Sequence, residues 1–293
     1  MVETVTRIRT EDGATLVVER REPAGAARAV VLLSHAMMAS RRSLDRPRGR
    51  GLASTLVDAG FRVLLADLRG HGDSRAKAGH AVTYDDLVRF DAPSLARHAR
   101  DVAEGLPVIA VGHSLFGHVS LCARGLGRMD LDAIAVLGAN TWERDAEPSR
   151  IAWAMKRASL EAAYALARVC GRFPARAIGA GSDDESTAYF GQFARWAREG
   201  RYDSMDRRDD YARAVAHVDV PVLAIGSARD RWLAPPHQVE AFARRIPDHR
   251  VLILRGKGAP THVGLGCTLA GLPAWRAVVA FVDEVIVAAR ARR

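Results

Sequence analysis

The sequence predicts an α/β fold, with a mostly parallel central sheet flanked by helices on both faces. Three observations carry this. Short apolar, β-branched runs alternate with longer amphipathic stretches, the rhythm of strands joined by crossover helices. Five of the seven candidate strands lack apolar–polar alternation and read as buried on both faces, as parallel strands are. The rhythm breaks once, between Thr141 and Val218, and resumes at Pro221.

Taken in order, the candidate strands are Leu16–Arg20, Val30–Ser34, Val63–Asp67, Val108–Gly112, Ile134–Leu137, Val222–Gly226 and Val251–Leu254. Helices are expected over Arg50–Ala59, Leu95–Glu104, Leu115–Arg124, His237–Arg245 and Trp275–Arg290, where apolar residues recur at helical spacing. The stretch 141–218 offers no convincing strand and carries Trp142, Trp153, Phe173, Phe190, Phe193 and Trp196 among its aromatics. It reads as a helical cap inserted before the last two strands of a core formed by 1–140 and 219–293, because α/β folds place their sites in loops at the carboxyl ends of strands. An ordinary helical layer on the sheet is the plainer alternative.

Bulk properties narrow the class. A chain of 293 residues, 48% hydrophobic and 26% charged, has the composition of an ordinary globular enzyme. Its longest apolar runs, such as Ala29–Leu33 and Val278–Val282, fall far short of the roughly 18 residues of a membrane helix. The start of the chain lacks a basic, then apolar, secretory leader, so a cytoplasmic location is expected. Cys122, Cys170 and Cys267 are too few and too scattered for a disulfide frame or a metal site. Net charge is +9, yet of 43 cationic residues only Lys77, Lys156 and Lys257 are lysines, and the arginines are spread along the chain. Charge without a motif does not indicate nucleic acid or an anionic membrane as partner. A small-molecule substrate is expected, with no metal and no organic cofactor; oligomeric state is not legible.

The strongest chemical signal is Val108-Ile109-Ala110-Val111-Gly112-His113-Ser114-Leu115-Phe116-Gly117. A buried strand runs through Gly-x-Ser into a helix, the context that lifts a serine hydroxyl above a sheet as a nucleophile. The plain alternative is a serine that caps a helix. The usual second glycine of such a turn is replaced by Phe116, with Gly117 one residue later. A serine needs a base, and the base needs an acid to orient it. Asp230 follows the strand that ends at Gly226 and precedes the turn Leu233-Ala234-Pro235. His262 lies in the loop Lys257–Gly264, after the last strand and before the last helix. Asp145 and Asp219 compete as acids, and His249 and His237 as bases. Asp230 and Asp145 stay open as orienters.

Asp67-Leu68-Arg69-Gly70-His71-Gly72-Asp73-Ser74, directly after a strand, closely resembles the turn that follows the fourth strand in the α/β-hydrolase superfamily. The likeness extends over nearly the whole chain. Ala36-Met37, Asp85-Asp86, Phe90-Asp91-Ala92-Pro93, Phe173-Pro174, Gly179, Trp196 and Asp230–Pro235 are similar to bacterial members near the serine aminopeptidase and monoacylglycerol lipase-like branch. The resemblance implies the α/β-hydrolase fold and the triad of a serine hydrolase but carries no substrate; the apolar, aromatic stretch 141–218 is what predicts a small hydrophobic ester, thioester or amide. The resemblance also implies a structural turn at 67–74, and Met37 and Leu115 as backbone N–H donors of an oxyanion hole. His35, Met38, Phe116, Trp142 and Trp232 are expected around the substrate, and Arg195 and Arg198 as cap cations that could meet an anionic group. An acyltransferase or cyclase using the same triad, and a non-hydrolytic binding protein, are the alternatives.

Overall fold

The computed structural model describes residues 3–76 and 79–291. In chain order its strands are β1 (Glu3–Arg9), β2 (Thr15–Arg21), β3 (Val30–Ser34), β4 (Arg62–Ala66), β5 (Val108–His113), β6 (Ala133–Leu137), β7 (Arg172–Phe173), β8 (Glu185–Ser186), β9 (Val222–Ser227) and β10 (His249–Leu254). The helices are α1 (Leu52–Asp58), α2 (Tyr84–Asp86), α3 (Ala92–Asp101), α4 (Leu115–Gly125), α5 (Arg150–Cys170), α6 (Thr187–Glu199), α7 (Tyr211–Ala216), α8 (Pro236–Ala243), α9 (His262–Cys267) and α10 (Leu272–Ala291). A π turn, Leu87–Asp91, makes α2 and α3 one continuous helical passage.

Eight strands form one sheet in the order β1-β2-β4-β3-β5-β6-β9-β10. β1 and β2 are antiparallel to their neighbours, and the rest of the sheet is parallel. Every residue of β3, β4, β5 and β6 is buried, which is why these strands show no alternation. Alternate residues serve opposite faces. Val30, Leu32, Val108 and Ala110 enter one core with α3 and α4. Val31, Leu33, Ile109 and Val111 enter the other, with α1 and with Trp275, Val278, Phe281 and Val282 of α10. Those four α10 residues recur at helical spacing, so one stripe of the last helix is covered by the sheet.

Three expectations are corrected. β1 is an additional strand. It is exposed almost throughout, so it offers no buried stripe from which to read it. Helix formation before the elbow begins at Tyr84, under a capping box formed by Thr83 and Asp86, rather than at Leu95. The stretch 141–218, expected to hold no strand, carries the short antiparallel pair β7–β8, Arg172 facing Ser186 and Phe173 facing Glu185. No helix among the described residues is long and apolar enough to cross a membrane.

Candidate active site

Ser114 sits where β5 turns into α4, at φ 50° and ψ −104°. A residue with a Cβ rarely adopts such a backbone, and it persists only where the surroundings fix it. Here the Ser114 N–H donates to the Leu137 carbonyl at 2.8 Å, and the Phe116 N–H reaches the His35 carbonyl at 3.4 Å. The turn also demands close approach of helix and strand. A Cβ on Gly112 would stand 2.3 Å from the Gly117 nitrogen, and one on Gly117 would meet Ala139 Cβ at 2.8 Å. Gly117 is therefore the small residue of this turn.

His262 opens α9, whose first turn is capped by Thr261 accepting the Gly264 N–H at 3.2 Å. Its Nδ1 lies 2.6 Å from Asp230 Oδ2. Asp230 is buried after β9, and its carboxylate also accepts the N–H groups of Leu233 and Ala234 at 3.0 Å each. Burial pushes this carboxyl up, but the His262 bond and the surrounding backbone N–H groups outweigh it and hold its pKa below the usual range. The ring takes one orientation as a result. Gly138, at φ 63° after β6, leaves the room: a Cβ there would stand 3.1 Å from His262 Cε1 and Nδ1. From the other side, His113 Nε2 donates to the His262 carbonyl at 3.0 Å. His113 is held neutral by burial, then by the neighbouring His262, with its pKa lowered to about 3.

The rival residues lie elsewhere. Asp145 is exposed. Asp219 pairs with Arg124, His249 Nδ1 contacts the Ile246 carbonyl, and His237 approaches Glu147 at 3.8 Å.

Ser114 and His262 open into one cavity of about 660 Å³. No hydrogen bond joins the two in this structure, a contact that often tightens only around substrate. Met37, Met38, Trp142 and Trp232 line the same cavity, and the stretch between β6 and β9 also supplies Leu160, Ala163, Phe173, Phe190 and Phe193. Trp142 and Trp232 meet edge to face at 5.7 Å, and Trp142 Nε1 donates to the Leu233 carbonyl at 2.8 Å. The buried Lys156 of α5 approaches both rings, at 5.2 and 5.8 Å, and pairs with Glu147 at 2.9 Å.

Four expected residues belong outside this wall. Phe116 is fully buried in the hydrophobic core, because the second position of α4 points into the sheet–helix layer. His35 is fully buried too; its Nε2 accepts the Leu68 N–H at 3.1 Å and its Nδ1 donates to the Ala36 carbonyl at 2.8 Å, so it binds two loops together. Burial, reinforced by nearby His71, lowers its pKa to about 3. Arg195 is consumed by Asp203 and the Ser204 carbonyl, and Arg198 by Glu161.

Of the oxyanion candidates, Met37 lies on the loop after β3 and Leu115 is the first residue of α4, adjacent to Ser114. In the 67–74 turn, Asp67 accepts the N–H groups of Arg41 and Asp73 and pairs with the Arg41 guanidinium, while Arg69 pairs with Asp12 and Asp91. His71 is pulled up to about 9: burial opposes its charge, but Glu185 beside it prevails. Among the described residues, Asp12, His80 and Asp86 could together hold a metal ion. Their carboxylates are already engaged by Arg69 and by the Thr83 cap, and none of the three lines the cavity. Glu185, Gly138 and His113 escape sequence reasoning, since each acts through residues distant in the chain.

Comparison with known proteins agrees with this architecture. Solved structures that match include an esterase of Pyrococcus furiosus (16% identity, TM-score 0.63, covering 97% of this chain and 91% of that one). An esterase from Exiguobacterium antarcticum matches at 18% identity and TM-score 0.65, over 96% of this chain and 100% of that one. The protein DcsB, in complex with its substrate analogue, matches at 15% identity and TM-score 0.68, over 98% of this chain and 100% of that one. At such identities the likeness speaks for the fold. No curated protein matches the chain. The family model for the serine aminopeptidases of the S33 type matches residues 25–257. The chain belongs to that serine aminopeptidase family and, with it, to the α/β-hydrolases.

Proposed function

We propose that the protein is a serine hydrolase acting through Ser114, His262 and Asp230 on an ester, thioester or amide of a small hydrophobic substrate. The observation that carries this is the 2.6 Å Asp230–His262 pair opening, with the strained Ser114, into one largely apolar cavity. His262 takes the Ser114 proton as the hydroxyl oxygen attacks the carbonyl carbon. Asp230 keeps the other ring nitrogen protonated and stabilises the imidazolium that forms. The negative charge on the carbonyl oxygen is received by the N–H groups of Met37 and Leu115, each such donor contributing about 3–4 kcal/mol in known cases. His262 then returns its proton to the leaving group, and water releases the acid from the acyl-enzyme.

Residues 141–218 serve as the cap in this reading, because α5 and α6 supply the apolar wall opposite the reacting groups. Trp142 and Trp232 form its aromatic end. A fluorophosphonate probe tests the assignment. A single adduct on Ser114, lost in Ser114→Ala and slowed at least about a thousandfold in Asp230→Asn, is the expected result. A folded wild type that acquires no adduct, or acquires one elsewhere, overturns it.

A further inference from the structure

Met38 follows the proposed oxyanion donor Met37 and holds a left-handed backbone, φ 58°, that a side chain with a Cβ rarely takes. The residues that hold it there come from the inserted segment. Buried Glu185 accepts the Met38 N–H at 2.6 Å through Oε1. The Met38 carbonyl accepts the N–H groups of Ser182 at 2.9 Å and Asp183 at 3.3 Å. Gly181 permits this contact, since a Cβ on it would stand 2.2 Å from the Met38 oxygen. Both polar groups of the Met38 backbone are thus satisfied from 182–185, a segment far from it in the chain.

The same Glu185 oxygen accepts a second bond, from His71 Nε2 at 2.9 Å, while His71 Nδ1 lies 3.1 Å from the Arg69 carbonyl. Asp183 accepts the Gly72 N–H at 2.8 Å. The segment is therefore pinned to the loop after β4 as well as to the loop after β3. Glu185 does not line the cavity; of the two groups its Oε1 bonds, Met38 is the one next to the proposed donor Met37.

We propose that Glu185 is a positioning residue: by holding Met38 in its left-handed conformation it sets the orientation of the Met37 N–H and so the competence of the oxyanion hole. The inference rests on the hydrolase reading above. It also joins the inserted segment to catalysis, because displacing 181–185 from the core releases the backbone next to the donor.

The test compares Glu185→Met, which fills the volume and offers no comparable acceptor, with Glu185→Gln, which keeps an oxygen for the Met38 N–H. Both are assayed on the p-nitrophenyl ester that wild type cleaves fastest, beside fluorophosphonate labelling and thermal unfolding. Glu185→Met is expected to lower kcat about 10- to 100-fold, short of the 10²–10³-fold of losing a donor outright, with KM within about twofold. Glu185→Gln is expected to recover to within about fivefold of wild type. In the Met38→Gly background the Glu185→Met loss shrinks, because glycine adopts this backbone unaided.

A labelled wild type whose kcat is unchanged in Glu185→Met overturns the inference alone. So does an equal loss in the Met and Gln variants, or a loss confined to KM. Should Glu185→Met not fold, Met38→Gly decides the matter with Glu185→Gln: a deficit of the Gln variant that is no smaller in the Met38→Gly background overturns the inference. A folded wild type that takes no label overturns the hydrolase reading itself.

Discussion

Restoring the glycine usual in this kind of turn, by Phe116→Gly, is expected to damage the protein rather than improve it. The ring of Phe116 is fully buried in the core that α4 forms with the sheet, and it is among the largest buried side chains. Truncating such a phenylalanine to alanine costs about 3–5 kcal/mol through lost transfer energy and the cavity left behind. Glycine in place of alanine inside a helix adds about 1 kcal/mol. The close approach at the turn gains nothing in return, because Gly117 already faces Gly112. A loss of roughly 4–6 kcal/mol lowers the unfolding midpoint by about 10–20 °C for a chain of this size. Circular dichroism melts measure it, with fluorophosphonate labelling at 20 °C reporting whether the remaining folded protein keeps its elbow. A Phe116→Gly midpoint within about 3 °C of wild type, together with a changed preference for ester chain length, would refute the reasoning, since it would place the ring against substrate.

Gly138→Ala puts a Cβ 3.1 Å from the His262 ring at a left-handed position, so kcat/KM should fall about 10- to 100-fold with a modest stability loss of about 1–2 kcal/mol; unchanged ester turnover refutes this. Lys156 and Glu147 are almost wholly buried, with side chains 2% and 5% exposed, so Lys156→Met alone should cost about 3–5 kcal/mol by stranding the carboxylate. Removing both charges with Lys156→Met and Glu147→Gln should cost less than the single change, and an additive double-mutant cycle by urea unfolding counts against it. Stability should peak near pH 6.5. His35, His113 and His118 are kept neutral by burial, with pKa lowered to about 3, so their contribution is full above 6.5 and is lost as pH falls toward 3, at up to about 1.4 kcal/mol per unit for each. His71, raised to about 9, contributes fully below 6.5 and loses that stabilisation as pH rises through 9. Urea midpoints that fall from pH 5 to pH 6.5 would contradict the sign for His35, His113 and His118, and midpoints that climb from pH 6.5 to pH 9 would contradict the sign for His71.

The parallel strands are legible in the sequence because burial on two faces removes alternation, and β3 matches its sequence range end for end. β1 is not, since an exposed strand held by backbone pairing to β2 needs no apolar face. The local context of Ser114, Asp230 and His262 is legible as three strand ends in the right chain order. Their partners are harder. Asp145 and Asp230 look alike in sequence, and only the fold turns the second toward His262. The direction of Phe116 depends on how α4 leaves the sheet, and the role of His35 on a loop 33 residues away. Glu185 and Met38 stand 147 residues apart, with no periodicity linking them.

The division of labour within the chain follows from this. The loops after β3, β5, β9 and β10 carry the proposed reacting groups, and the sheet fixes those loops through buried strands. The far wall of the cavity belongs instead to 141–218, where α5 keeps a largely exposed outer face. Substitutions at Leu160, Phe190 or Phe193 can therefore reshape the cavity while the core strands stay as they are. This independence is limited where the segment bonds to its neighbours: Glu147 accepts from Gln238 Nε2, Trp142 Nε1 donates to the Leu233 carbonyl, and Glu185 accepts the Met38 N–H. Such bonds tie this wall to the elements that carry the proposed reacting groups. Exchange of the whole segment for another should thus preserve the fold of the core yet reduce turnover unless an acceptor is retained opposite Met38, and that requirement sets a limit on how freely such a wall can be replaced.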